Sequence, residues 1–145
     1  MRDLALFFHL AAAILWMGGM AFMVLALRPS LAALEAPVRV KLVAGVLQRF
    51  FTVVAISVVA LAATGAWMYS DAQATPRGWQ AMAAIGVVMM ALFGHIFFAP
   101  YRRLQRAIAQ EDWPAAGAAA GQVTLLAKVN LGLGWIAIAA VVLWH

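Results

Sequence analysis

The stretch from Phe7 to Arg28 reads FFHLAAAILWMGGMAFMVLALR. Apart from His9 it carries no strongly polar side chain before Arg28. It exceeds the ~20 residues that a transmembrane helix needs. Wound as a helix, it places His9, Ala12, Ala13, Trp16, Met20 and Met23 on one face, because they follow one another at helical spacing. That face offers a ligand near one end, small residues that leave room, then an aromatic ring and two thioethers. It either holds a metal or cofactor or packs against neighbouring helices.

The whole chain extends this pattern. Of its 145 residues, 67% are hydrophobic and 10% charged, with mean hydropathy +0.96. Soluble domains run at roughly half apolar and about a quarter charged, so the composition specifies an integral membrane protein. One domain fits the length. With no cysteine, disulfides, thiolate metal sites, iron–sulfur clusters and cysteine nucleophiles are excluded. The net charge of +5 sits beside apolar spans, which predicts membrane orientation rather than nucleic-acid binding.

Four segments are predicted to span the bilayer, at about 4–27, 46–69, 79–99 and 123–144. Short links make neighbouring helices antiparallel, giving an all-α, up-down-up-down four-helix bundle in a single domain, 1–145. No segment alternates apolar and polar residues as a β-barrel strand would. Arg28, Arg39, Lys41, Arg49, Arg102, Arg103, Arg106 and Lys128 lie on one side, and only Arg2 and Arg77 on the other. The positive-inside rule predicts both termini on the outer (periplasmic) side of a bacterial-type inner membrane. The apolar part of Met1–Ala26 is too long for a signal peptide and is expected to remain as a helix.

The links themselves look helical. Pro37 suits a first helical turn, so helix two is expected to begin well before its apolar core. Asp112-Trp113-Pro114 reads as an N-cap followed by an early proline, opening helix four. Tyr101–Gln110 should continue helix three after a disturbance at Pro100. Helices two, three and four are thus expected to extend into the cytoplasm, while Asp71–Gly78 forms a plain outer loop.

An intramembrane histidine is a functional hypothesis by default. His9 lies close enough to its end to be an interfacial residue instead. His95 sits deeper, in FGHIFF, with Gly94 beside it and Ala84, Val88 and Ala91 on its face. Helices one and three run in the same direction, so the two histidines should differ in depth by roughly 15 Å. Two axial ligands of one haem need nearly equal depth. Two sites are therefore expected, an outer and an inner, unless a partner chain supplies a second ligand.

The inner site would combine His95 with Asn130, helped by Arg49 and Gln48. Snorkelling also explains Arg49 and Lys128, and an interhelical hydrogen bond explains Asn130. The outer site would combine His9 with Trp16, Tyr69, Trp79 and His145, although Trp and Tyr at membrane ends commonly serve as anchors. Met17, Met20, Met23, Met68, Met82, Met89 and Met90 are soft donors suited to Cu(I), or adaptable apolar filler. The spans hold no deep carboxylate for a proton relay, and the chain has no phosphate loop or hydrolase triad.

The motifs have a family likeness. His9-Leu10, Trp16-Met17-Gly18-Gly19 and Phe22 resemble the HL…WxGG…F opening of the CopD (copper-resistance D) family. Gln48-Arg49-Phe50-Phe51…Ala63-Thr64-Gly65 and Lys128-Val129-Asn130-Leu131-Gly132-Leu133-Gly134 resemble its RF…TG and KxNLxLG segments. The resemblance covers essentially the whole chain and implies a copper-linked role in uptake or resistance. The layout is also similar to HemJ-type protoporphyrinogen oxidases, four-helix membrane proteins with bound haem b, in which His9 and His95 would take corresponding places. Where that family carries a lysine, this chain reads Gln80-Ala81-Met82-Ala83-Ala84.

The expected function is therefore copper or haem b handling through His9 and His95, with Trp16, Asn130 and Arg49 around them. A porphyrinogen-oxidising membrane oxidoreductase and a non-catalytic membrane subunit are the alternatives. The expected partners are the lipid bilayer and a second copy or another membrane subunit, with no nucleic acid.

Overall fold

A computed structural model describes residues 1–144. Four long helices make up the fold: α1 (Arg2–Ala33), α2 (Ala36–Asp71), α3 (Arg77–Ala109) and α4 (Trp113–Leu143), each long and apolar enough to cross a membrane. Large apolar side chains such as Ile14, Ile56, Val59, Val87 and Leu143 cover the outside. An outward apolar surface of this kind suits lipid and not water.

Local chemistry sets the boundaries. Pro37 lies in the first turn of α2 and Pro114 in that of α4, where a missing N–H costs nothing. Asp112 caps α4, its side chain accepting from the Ala115 N–H at 3.0 Å. The turn before it is a Schellman motif. Asp112 N–H reaches the Ala107 carbonyl at 2.9 Å, Glu111 N–H reaches Ile108 at 3.1 Å, and Glu111 takes φ 56° between them.

Two helices contain a widened π turn, Met23–Leu27 in α1 and Phe97–Tyr101 in α3. Both go with a proline. Pro100 lies inside the second, and Pro29 follows the first closely enough for its ring to oppose the Leu25 carbonyl. Widening the turn removes the clash without ending the helix. Helix one therefore does not stop near Leu27 but continues to Ala33, an extension the sequence reading assigned only to the other three helices.

The helices alternate up and down. His9 on α1 meets Thr64 on α2, Met89 on α3 meets Asn130 on α4, and Arg103 on α3 meets Gln122 on α4. α1 packs most closely on α2, and α3 on α4. At the end holding Met1, residue 144 and the 72–76 loop, here the far end, Gly78 N–H donates to the Trp144 carbonyl at 3.1 Å. A free helix-start donor thus meets a free helix-end acceptor. At the opposite, basic end, Phe51 is the hub of an aromatic layer, edge-on to Phe93, Phe97 and Tyr101 with centroids at 5.6, 5.7 and 4.8 Å. Between the ends lies a second core of Trp16, Met20, Val54 and Met89.

Candidate functional site

His9 is half-buried near the far end, on the α1 face that also buries Ala12, Trp16 and Met20. Its Nδ1 lies 2.9 Å from Thr64 Oγ1. Thr64 Oγ1 lies 2.6 Å from the Ala60 carbonyl, which can only accept, so the hydroxyl donates there. A hydroxyl has one hydrogen to give. Thr64 must therefore accept from His9, which puts a proton on Nδ1; in the neutral ring the lone pair is then on Nε2. A histidine held through one nitrogen by an outer partner is oriented to ligate metal through the other.

Gly65 makes this possible sterically. A Cβ there would stand 3.3 Å from His9 Cε1, inside ordinary contact distance, so the missing side chain gives the ring its bed. Met68, also half-buried, follows Thr64 by one helical turn and brings a thioether to the same face nearer the end. Among the described residues, no group of three or more His, Cys, Asp and Glu comes together as a metal site. A metal at His9 would draw on one imidazole and softer donors.

Trp16, grouped with His9 in the expected outer site, belongs to the middle core. It lies seven residues further along α1, 3% exposed and edge-on to Phe93 at 6.3 Å. Met20 and Met89 are buried beside it, with Met17 and Met90 packed around them. Gly134 on α4 forms a notch that the Met17 sulfur fills; a Cβ there would overlap the thioether and also approach Met89. Asn130 stands in this region with 1% exposure. Its Nδ2 makes one long bond, 3.5 Å to the Met89 carbonyl, and its Oδ1 has no protein partner. The Met17 and Met89 thioethers thus meet at Gly134, one helical turn from an orphaned amide oxygen on the same helix.

The inner pairing of His95 with Asn130 does not form. Asn130 is level with Met89, and His95 lies six residues, roughly 9 Å, further toward the basic end. His95 is also exposed, as are Ala84, Val88 and Ala91 on its stripe. The core face of α3 instead presents Met89 and Ile96, with Phe93 packed beside them, because a four-helix interior needs large side chains to fill it. Small residues beside His95 marked the lipid side. Arg49 is exposed on α2. Trp79 lies under the Arg2 guanidinium at 5.9 Å, Tyr69 is exposed, and His145 lies outside the described residues.

The depth separation of the two histidines stands. Trp16 meets Phe93, which places His95 about nine residues, roughly 14 Å, beyond the level of His9. With His95 exposed as well, the pair does not fit the two axial positions of one haem within a chain.

The family model described as copper resistance protein D matches residues 44–144. The chain belongs to that family. The match includes Thr64, Gly65, Met89 and Asn130, and begins beyond α1. No curated protein and no solved structure matches significantly. The copper resistance resemblance read from the motifs is therefore borne out. Sequence reasoning missed the Thr64–His9 bond, although antiparallel neighbours with both residues near the same end carried the signal.

Proposed function

We propose that this copper resistance protein D relative handles copper ions inside the membrane, with the ion as cargo. His9 Nε2 is the first ligand, near the far end, with Met68 as a thioether donor on the facing helix. Met17 and Met89, with Asn130 Oδ1, form an interior station. The observation that carries this reading is the hydrogen count at Thr64, which puts a proton on His9 Nδ1, so that Nε2 is the nitrogen through which the neutral imidazole would ligate. Neutral imidazole and thioethers suit copper, above all Cu(I). Neutral donors also let a single positive charge move without a proton-carrying carboxylate. The distribution of cations supports an orientation with the far end outside, across a bacterial-type inner membrane.

The test is Cu(I) titration of purified protein in detergent against a chromophoric chelator, with metal analysis and a visible spectrum. Wild type should be colourless with bound copper. His9→Ala should lose one site. Thr64→Val should weaken that site by about tenfold or more, because the tautomer is no longer held. Unchanged binding in His9→Ala would overturn the assignment. A Soret band sharpening into α and β bands on reduction would replace copper by haem.

A further inference from the structure

Copper handling leaves the other end of the molecule unused, including the alanine- and glycine-rich start of α4, AAGAAAG at 115–121. There the end of α1 and the starts of α2 and α4 enclose a cavity of about 210 Å³. Arg28 and Arg39 line it, with Leu31, Val43, Gly117 and Ala120 as walls and floor, and no lining residue is acidic. Arg39 spends one N–H on the Leu34 carbonyl at 3.4 Å. A guanidinium has five N–H donors in a planar fork, so most of this capacity is left without a partner among the described residues, beside a cavity whose lining holds no acidic side chain.

The cavity continues into the apolar zone. A shallow groove shares Arg28, Leu31 and Val43 with it and runs on between Met23, Leu27, Val123 and Ala127. The π turn of α1 supplies its wall over Met23–Leu27. One end is thus a two-arginine cradle at the membrane boundary, and the other is an apolar furrow pointing into the bilayer. A soluble phosphate would use only the first. A phospholipid uses both.

The geometry points to a bound anionic phospholipid, its phosphate between Arg28 and Arg39 and an acyl chain in the α1–α4 furrow. Two cations without a counter-charge suit an anionic headgroup, as in basic pockets between transmembrane helices. Gly117 and Ala120 leave the headgroup its space; a Cβ added to Gly117 meets nothing within 4 Å. The lipid would tie the extension of α1 to α2 and α4 beside the π turn of α1.

Native mass spectrometry of the full chain in micelles doped with phosphatidylglycerol or phosphatidylcholine of identical chains tests this. Wild type should retain phosphatidylglycerol about tenfold better. Arg28→Gln with Arg39→Gln should abolish that preference. Arg102→Gln with Arg106→Gln makes the same charge change on the same end outside the cavity and should leave it intact. Gly117→Leu fills the cavity with no charge change and with a better helix former, so it should lower retention in a protein that still folds and binds copper. Equal loss in the two arginine doubles would reduce the effect to general charge and overturn the site. So would full retention in Gly117→Leu, or displacement of the lipid by inorganic phosphate alone.

Discussion

Replacing Asn130 by leucine should make the bundle more stable. The two side chains branch at the same carbon, so the change swaps an amide for two methyl groups in nearly the same shape. The loss is one hydrogen bond, Nδ2 to the Met89 carbonyl, and at 3.5 Å it is a long one. Such interhelical bonds average about 0.6 kcal/mol in membranes. The gain is relief of Oδ1, buried without a partner, a burden of about 1–3 kcal/mol. Leucine is somewhat bulkier, but Met89 beside it is unbranched and can adjust. The net expectation is a gain of about 1 kcal/mol. Reversible unfolding in mixed micelles, followed by circular dichroism, measures it. A loss of more than about 1 kcal/mol would refute the reasoning, because it would mean that Oδ1 is satisfied. The same variant should bind copper at His9 as wild type does and lose the interior station, which would identify the orphaned oxygen as a cost borne for function.

Gly65→Ala should change stability by less than about 1 kcal/mol, since better helix propensity offsets the tight contact, yet it should weaken copper at His9 by pushing the ring off its bed; titration beside thermal unfolding separates the two. Gly78→Val should cost about 2 kcal/mol or more, because its Cβ would run into the backbone carbonyls of Ala140 and Trp144, which cannot turn aside. Glu111→Gly should be neutral or slightly stabilising, and Glu111→Val clearly destabilising, because φ 56° is a left-handed conformation that a β-branched residue resists; melting temperatures should fall in that order. His95→Ala should leave both stability and copper binding unchanged, as befits an exposed side chain.

The spans, the helical links and the cap at Asp112 were legible because each depends on local chemistry: apolar length, proline in a first turn, a carboxylate before a helix. The α1 face was legible too, since Trp16 and Met20 are large residues at helical spacing and the interior takes large residues. The same logic misled at His95. The small residues at 84, 88 and 91 suggested a notch for a neighbour, whereas α3 turns Met89 and Ile96 inward. Which stripe faces a partner depends on all four helices at once. Thr64 stayed hidden for a related reason, because its role needs the register between two helices 55 residues apart in sequence. The continuation of α1 past Pro29 was missed because a proline ordinarily ends a helix, and no residue at 23–27 signals the π turn that accommodates it.

The closeness of α1 to α2 and of α3 to α4 bears on how the molecule is made. Each pair is a hairpin whose partners are neighbours in the chain, so each can leave the insertion machinery as a unit already paired with what was synthesised just before it. The contacts that join the hairpins, Phe51 with Phe93 and Met17 with Gly134, are formed by rings, a sulfur and a notch, groups that lose little if they meet late. The donors proposed for the interior station come from both hairpins, Met17 from the first and Met89 and Asn130 from the second. Those donors meet only where the two hairpins pack on each other, so the proposed station requires the whole bundle.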